Sequence, residues 1–171
     1  IEGFLISVIL GARRLAHAGL LRHDKVVSEM FGWRKGMASE STFSRFFKKF
    51  DVDLNDEVFI ELNRWWFSKL KVRHHTVDID STVITRYGSQ DGVEVGYNPR
   101  KPGRGSHHPL IAFAAEAKMV VQSWMRTGDS ISSTDIEDFI SVLLKTLDKS
   151  NIGLVRADSG FFSETTLTLL E

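Results

Sequence analysis

The first seventy residues carry apolar positions at helical spacing. Phe4, Leu5, Val8, Ile9, Ala12, Leu15 and Ala16 recur at steps of three and four, which predicts one amphipathic helix over 4–16 with Gly19 as its stop. Asp24 is placed to cap a short helix from Lys25 to Phe31 that Gly32 ends. Phe43, Phe46, Phe47 and Phe50 form the stripe of another helix over 42–50, giving a helix–turn–helix pattern. A longer helix follows over 55–71. Its pattern turns Val58, Phe59, Leu62, Trp65, Trp66 and Leu70 inward and Glu57, Glu61, Arg64 and Lys69 outward.

At His74 the helical period gives way to alternation. The run from Thr76 to Ile84 is rich in β-branched residues and reads as a strand, with Val77, Ile79 and Ser81 on one face and Asp78, Asp80 and Thr82 on the other. The segment from Tyr87 to Pro109 reads as a loop or hairpin whose tip carries Arg100, Lys101 and Arg104. The apolar runs Leu110–Glu116 and Met119–Arg126 predict a buried hairpin. Thr134-Asp135-Ile136-Glu137 is a capping-box pattern opening a helix that ends near Asn151. Ile152–Ala157 then reads as a short strand delivering Asp158, and 163–171 as a last helix. Three consecutive strands followed by strand–helix–strand connectivity predict an α/β fold, a mixed sheet with flanking helices.

Composition narrows the options. The chain has 171 residues, 42% of them apolar and 26% charged, which suits a packed core and excludes disorder. It contains no cysteine, so thiol nucleophiles and zinc-thiolate sites are excluded, and a reducing compartment is favoured. The apolar start from Phe4 to Leu10 is far shorter than the roughly 20 residues of a membrane span. Lys plus Arg equals Asp plus Glu at 22 each, yet the charge is unevenly spread. Residues 1–50 hold nine basic side chains against four acidic, and residues 127–171 hold three against eight.

Two carboxylates stand out. Asp80 lies on a strand among apolar neighbours, and Asp158 ends another, followed by Ser159-Gly160. Ionised carboxylates are costly to place there unless they are paired or bind a metal. If the strands are neighbours the two side chains converge, and paired Asp oxygens suit Mg2+ or Mn2+ and two-metal phosphoryl transfer. Asp78 shares Asp80's face and is the competing ligand. Arg100, Lys101, Arg104 and His107 could contact backbone phosphates. His107 and His108 make no zinc site, which needs at least three ligands. Arg34, Lys35, Arg45, Lys48 and Lys49 could set the helix–turn–helix against DNA, with an ordinary packed hairpin as the alternative. Trp65 and Trp66 suit packing or a subunit contact better than base stacking.

Taken in order, Val77-Asp78-Ile79-Asp80-Ser81-Thr82, Gly96-Tyr97-Asn98-Pro99, Lys101-Pro102-Gly103, His107-His108-Pro109-Leu110 and Arg156-Ala157-Asp158-Ser159-Gly160-Phe161 resemble the catalytic domain of bacterial insertion-sequence transposases of the DDE type. Gly11-Ala12-Arg13-Arg14 and Ser41-Thr42-Phe43-Ser44-Arg45-Phe46-Phe47 resemble that family's helical amino-terminal region. The resemblance implies a ribonuclease H-like domain over 74–171 preceded by a helical region over 1–73. It also implies Asp80 and Asp158 as catalytic metal ligands, Mg2+ or Mn2+ as cofactor, transposon-end double-stranded DNA as partner, a homodimer, and a place in the bacterial cytoplasm at the nucleoid. The family's third acidic residue, a Glu with nearby Tyr, Arg and Lys, has no match up to Glu171. The expectation is therefore a truncated transposase, inactive by itself. The alternatives are a catalytically inactive DNA-binding or interaction fragment, and a ribonuclease H-like nuclease unrelated to transposition.

Overall fold

The computed structural model describes residues 1–171, the side chain of Val52 excepted. Two compact units divide the chain, Ile1–Asp56 and Glu57–Glu171.

The first unit is helical: α1 (Glu2–Ile9), α2 (Leu15–Leu21), α3 (Lys25–Met30) and α4 (Glu40–Phe47), followed by the opening of α5 (Val52–Lys69). The single helix expected over 4–16 is two. Gly11 sits at φ +90, a conformation that side-chain-bearing residues avoid, and it turns the chain between α1 and α2. Asp24 caps α3 by accepting from the Val27 N–H at 3.0 Å, and Ser39 caps α4 through the Thr42 N–H at 3.3 Å. The core of this unit is small: Ala18, Met37 and Phe43, with Phe4, Leu15, Leu21 and Trp33 packed around them.

The second unit is built on a mixed sheet of β1 (His75–Ser81), β5 (Leu110–Ala114), β6 (Met119–Trp124) and β7 (Ile152–Ala157), in the order β6-β5-β1-β7. β1 is parallel to β7 and antiparallel to β5, and β5 pairs antiparallel with β6. Alternation along β1 buries Val77 and Ile79 and leaves Asp78 and Asp80 on the opposite face. The apolar face of α6 (Ile136–Leu147) closes the core with Ile136, Phe139, Ile140, Leu143 and Leu147, and α7 (Glu164–Leu170) packs beside it through Leu169 and Leu170. Each fully buried Leu, Ile or Phe contributes about 1.5–3 kcal/mol, and these make α6 the main support of the sheet. The expected α/β class is what the chain adopts: a mixed sheet with flanking helices, after a helical amino-terminal region.

Four local expectations are corrected. The segment between β1 and β5 is no simple loop but a second sheet, β2 (Ile84–Thr85), β4 (Gly105–His107) and β3 (Glu94–Val95), in the order β2-β4-β3. A Cβ on Gly96 would sit 2.1 Å from the Gly128 carbonyl oxygen, and one on Gly128 would sit 2.1 Å from that of Glu94, so these two backbones pass at a distance only glycine permits.

The capping box at Thr134 does not form. The Thr134 hydroxyl accepts from the Ile131 N–H at 3.1 Å, the Glu137 carboxylate takes the Ser163 hydroxyl at 3.4 Å, and Asp135 adopts φ +58. On α5 the inward residues are Asn63, Phe67 and Leu70, while Val58, Phe59, Leu62, Trp65 and Trp66 are exposed, the two tryptophans at 52% and 46%. Finally, the division falls inside α5 and not after residue 73. Asn63 donates to the Val121 carbonyl at 2.6 Å, Arg64 to the Lys145 carbonyl at 2.9 Å, and Phe67 enters the core, so this half of the helix belongs to the sheet.

Candidate active site

Parallel pairing of β1 with β7 runs Asp78↔Arg156 and Ile79↔Ala157. Asp80 is the next residue on β1 and Asp158 the first beyond β7, and the register continued by one would set their Cα atoms roughly 5 Å apart. Strand alternation, carried on by that one residue, would set both side chains on the face of Asp78 and Arg156. Arg156 reaches Asp78 through Nε at 2.5 Å and Nη2 at 2.8 Å, which fixes that face for both strands, and Asp80 and Asp158 lie two residues further along each. Asp158 remains extended, at φ −75 and ψ 170.

The three aspartates differ in what they already hold. Asp78 is taken by the two-pronged Arg156 contact, and that guanidinium holds its carboxyl below the ordinary value near 3.8. Asp80 accepts through Oδ1 from the Ser81 N–H at 2.7 Å, and Asp158 through Oδ1 from the Gly160 N–H at 2.9 Å. Each bond orients the carboxylate and leaves Oδ2 with no protein donor among the described residues. Asp80 and Asp158 are both exposed, so cation and substrate can reach them.

A pair of exposed carboxylates on one face fits Mg2+ or Mn2+, which bind through one or two carboxylates and complete their shell with water and phosphate oxygens. Among the described residues, no cluster of three or more His, Asp or Glu gathers to hold a metal.

Sequence reasoning missed Arg126. It is buried after β6, donating through Nε to the His108 carbonyl at 3.1 Å and through Nη1 to the carbonyls of Ile131 at 2.9 Å and Thr134 at 2.6 Å. The loop it holds carries Ser132, whose side chain lies against Gly160, next to Asp158. Arg126 is thus a brace for the second carboxylate's turn. Burial pulls its guanidinium pKa down. The only signal in the sequence was a basic residue ending an apolar run.

The second sheet leaves from the same end of β1 as Asp80, since Ser81 pairs with Leu110 and the Thr82 N–H donates to the Pro109 carbonyl at 3.2 Å. Arg100, Lys101 and Arg104 are exposed on its turn. Asn98 shapes that turn by accepting from the Lys101 N–H and donating to the Thr85 hydroxyl, both at 3.0 Å. The Lys101 ammonium sits on the Tyr87 hydroxyl and 5.0 Å above its ring, which lowers the phenol's pKa.

His107, expected among the phosphate contacts, is not with them. It is 7% exposed, its Nε2 bonded to the Asp91 carbonyl at 2.8 Å and its Nδ1 accepting from Arg86 Nε at 3.0 Å. His108 is likewise committed, to the Tyr97 carbonyl at 2.8 Å. Both histidines tie the second sheet together.

Comparison with known proteins bears on this arrangement. No curated protein matches the sequence. Among solved structures, a chain described as "Mos1 transposase paired-end complex with left transposon end" superposes with a TM-score of 0.40 at 10% identity, covering 99% of this chain and 55% of that one. This chain thus spans about half the length of that transposase. The family model described as "Transposase DDE domain group 1" matches residues 1–171, so the chain, with an aspartate at the end of β1 and another just after β7, belongs to that family of DDE transposase domains.

Proposed function

We propose that this chain is the part of an insertion-sequence transposase that cuts and joins transposon-end double-stranded DNA by divalent-metal phosphoryl transfer, acting in the bacterial cytoplasm at the nucleoid. The observation that carries the reading is the parallel pairing of β1 with β7, which runs up to the residues just before Asp80 and Asp158, together with the family match. Asp80 and Asp158 would hold Mg2+ or Mn2+, which when bound activates an attacking oxygen and stabilises a leaving one. Asp78 is not a ligand in this reading, because Arg156 already occupies both its oxygens. Ser81 and Gly160 orient the two working carboxylates, Arg126 fixes the loop beside Asp158, and Arg100, Lys101 and Arg104 are placed to neutralise backbone phosphates.

A second reading rests on Asp80 and Asp158 having no third acidic partner gathered beside them among the described residues: this chain binds DNA and metal without cutting. Self-association completes the proposal. The exposed stripe of Val58, Phe59, Leu62, Trp65 and Trp66 is preceded by Asp56 and Glu57 and followed by Lys69 and Lys71, so a second copy laid antiparallel would cover the stripe and set acid against base.

One set of samples tests these points. Mn2+ binding by calorimetry is expected to weaken at least about tenfold in Asp80→Asn and in Asp158→Asn and to change little in Asp78→Asn. Loss in Asp78→Asn alone would overturn the ligand assignment. Nicking of duplex DNA with Mn2+ would decide for the first reading, and binding without nicking for the second. Sedimentation of the same protein should show a dimer that Leu62→Glu dissociates; a wild-type monomer refutes the α5 pairing.

A further inference from the structure

The opposite end of the second unit holds a cavity of about 980 Å³ between the last turns of α5, the connection to β1, and the end of α6. Its walls include five cationic side chains: Arg64, Lys71, Arg73, Lys145 and Lys149. Arg64 is committed, to Glu61 at 2.8 Å and to the Lys145 carbonyl. Lys71, Arg73, Lys145 and Lys149 have no carboxylate within ion-pair distance among the described residues. Asp148 is the one acidic residue in the wall, and its Oδ1 is taken by the Ser150 N–H at 3.0 Å and hydroxyl at 2.9 Å. Four like charges facing one concavity repel each other, and an entering anion would relieve that repulsion.

A second and independent observation is His75. It lines the cavity at 2% exposure, its ring edge-on to Phe67 at 5.5 Å, and its Nδ1 has no hydrogen-bond partner. A buried polar atom left unpaired costs about 1–3 kcal/mol, which an entering oxygen acceptor or donor would relieve. The chain is bent to place it there. His74 adopts φ +62, and a Cβ on Gly153 would lie 2.9 Å from the Cβ of His74, so only glycine on β7 admits that bend.

One feature of the wall works against an anion, the carboxyl end of α6, where the helix dipole is negative. Its exposed carbonyls are partly covered already, that of Lys145 by Arg64 and that of Leu147 by the Asn151 amide at 3.2 Å.

We propose that this cavity is a binding site for phosphate-bearing anions, held by Lys71, Arg73, Lys145 and Lys149 with His75 at its floor. It uses none of the residues assigned to metal, so it stands or falls apart from the transposition reading. The volume admits a free phosphate ester or polyphosphate as well as a stretch of nucleic-acid backbone.

Titration of the full chain with inorganic pyrophosphate and, separately, with a short duplex DNA tests it. In the double variant Lys71→Ala, Lys149→Ala, affinity should fall about tenfold, and the slope of log K against log salt for the duplex should drop by about 2. Arg100→Ala, Lys101→Ala should leave pyrophosphate affinity unchanged. The His75 imidazole nitrogen resonances should move with either ligand. Weakening of pyrophosphate alone assigns the site to a free phosphate compound, and weakening of the duplex, with or without pyrophosphate, to backbone phosphates. If the Lys71 and Lys149 changes affect neither ligand, or the His75 resonances stay still with both, the proposal is overturned.

Discussion

At the carboxyl ends of β1 and β7, Asp80 and Asp158 stand exposed on one face, whereas toward their amino ends His75 is buried beside a cavity rimmed with lysine and arginine. Parallel pairing brings like ends of the two strands together, while the cations at the amino end come from α5, the connection to β1 and the end of α6. Five residues of extended chain separate His75 from Asp80, roughly 17 Å, beyond the screening length of about 8 Å at physiological salt. The two ends should therefore bind their ligands independently although β1 contributes to both. Between them Asp78 and Arg156, on the face of Asp80, neutralise each other.

The largest expected effect breaks the comparison outright. Phe139 is fully buried in α6, edge-on to Trp124 at 5.3 Å, and its carbonyl accepts from Gln122 at 3.2 Å. Phe139→Ala should cost about 3–5 kcal/mol in chemical denaturation and impair both ends together through the folded fraction. Loss confined to one end would contradict a shared support.

Gly160→Ala should sharpen the comparison. The new Cβ would stand 3.1 Å from Asp158 Oδ1 and 3.1 Å from the Ser132 side chain, so that turn must shift. Mn2+ affinity is expected to fall by roughly a factor of three or more, with pyrophosphate affinity at the other end unchanged. Unaltered Mn2+ affinity would remove Asp158 from the metal site.

The smallest effect concerns the middle. Because Arg156 depresses the Asp78 pKa in the folded state, the pair's stabilisation is present above the ordinary value near 3.8 and is lost as pH falls through the lower folded value. Melting temperatures of Asp78→Asn and the unaltered chain should therefore differ near neutrality and converge below about pH 4. A constant difference down to pH 2 would show that another contact stabilises the strand pair.

Much of the layout could be read from the chain alone. β7 matches its expected bounds, the β5–β6 hairpin falls within its two apolar runs, and α3 starts at the cap Asp24 supplies. These elements are set by local chemistry, alternation or a capping side chain, which a short window contains. The misreadings share a different cause. Val58, Phe59, Leu62, Trp65 and Trp66 repeat as a core face would, but periodicity reports that a face is apolar and not what covers it. Strands of two residues, such as β2 and β3, are too short to show alternation. His107 beside a basic turn looked like a phosphate contact, until its pairing with Arg86, 21 positions earlier, and with Asp91 placed it inside the second sheet.

What the sequence determined by itself was that a strand would carry acids at every second position, and that another would end in an aspartate before a glycine turn. Asp78 and Asp80 are alike at that level: same residue, same face, same apolar neighbours. Only the tertiary structure distinguished them, because the parallel register sets Arg156, 78 positions away, opposite the first and gives the second no such partner among the described residues. A carboxylate's work depends on the charge across from it, and that neighbour is chosen by strand pairing, which no local stretch of chain encodes.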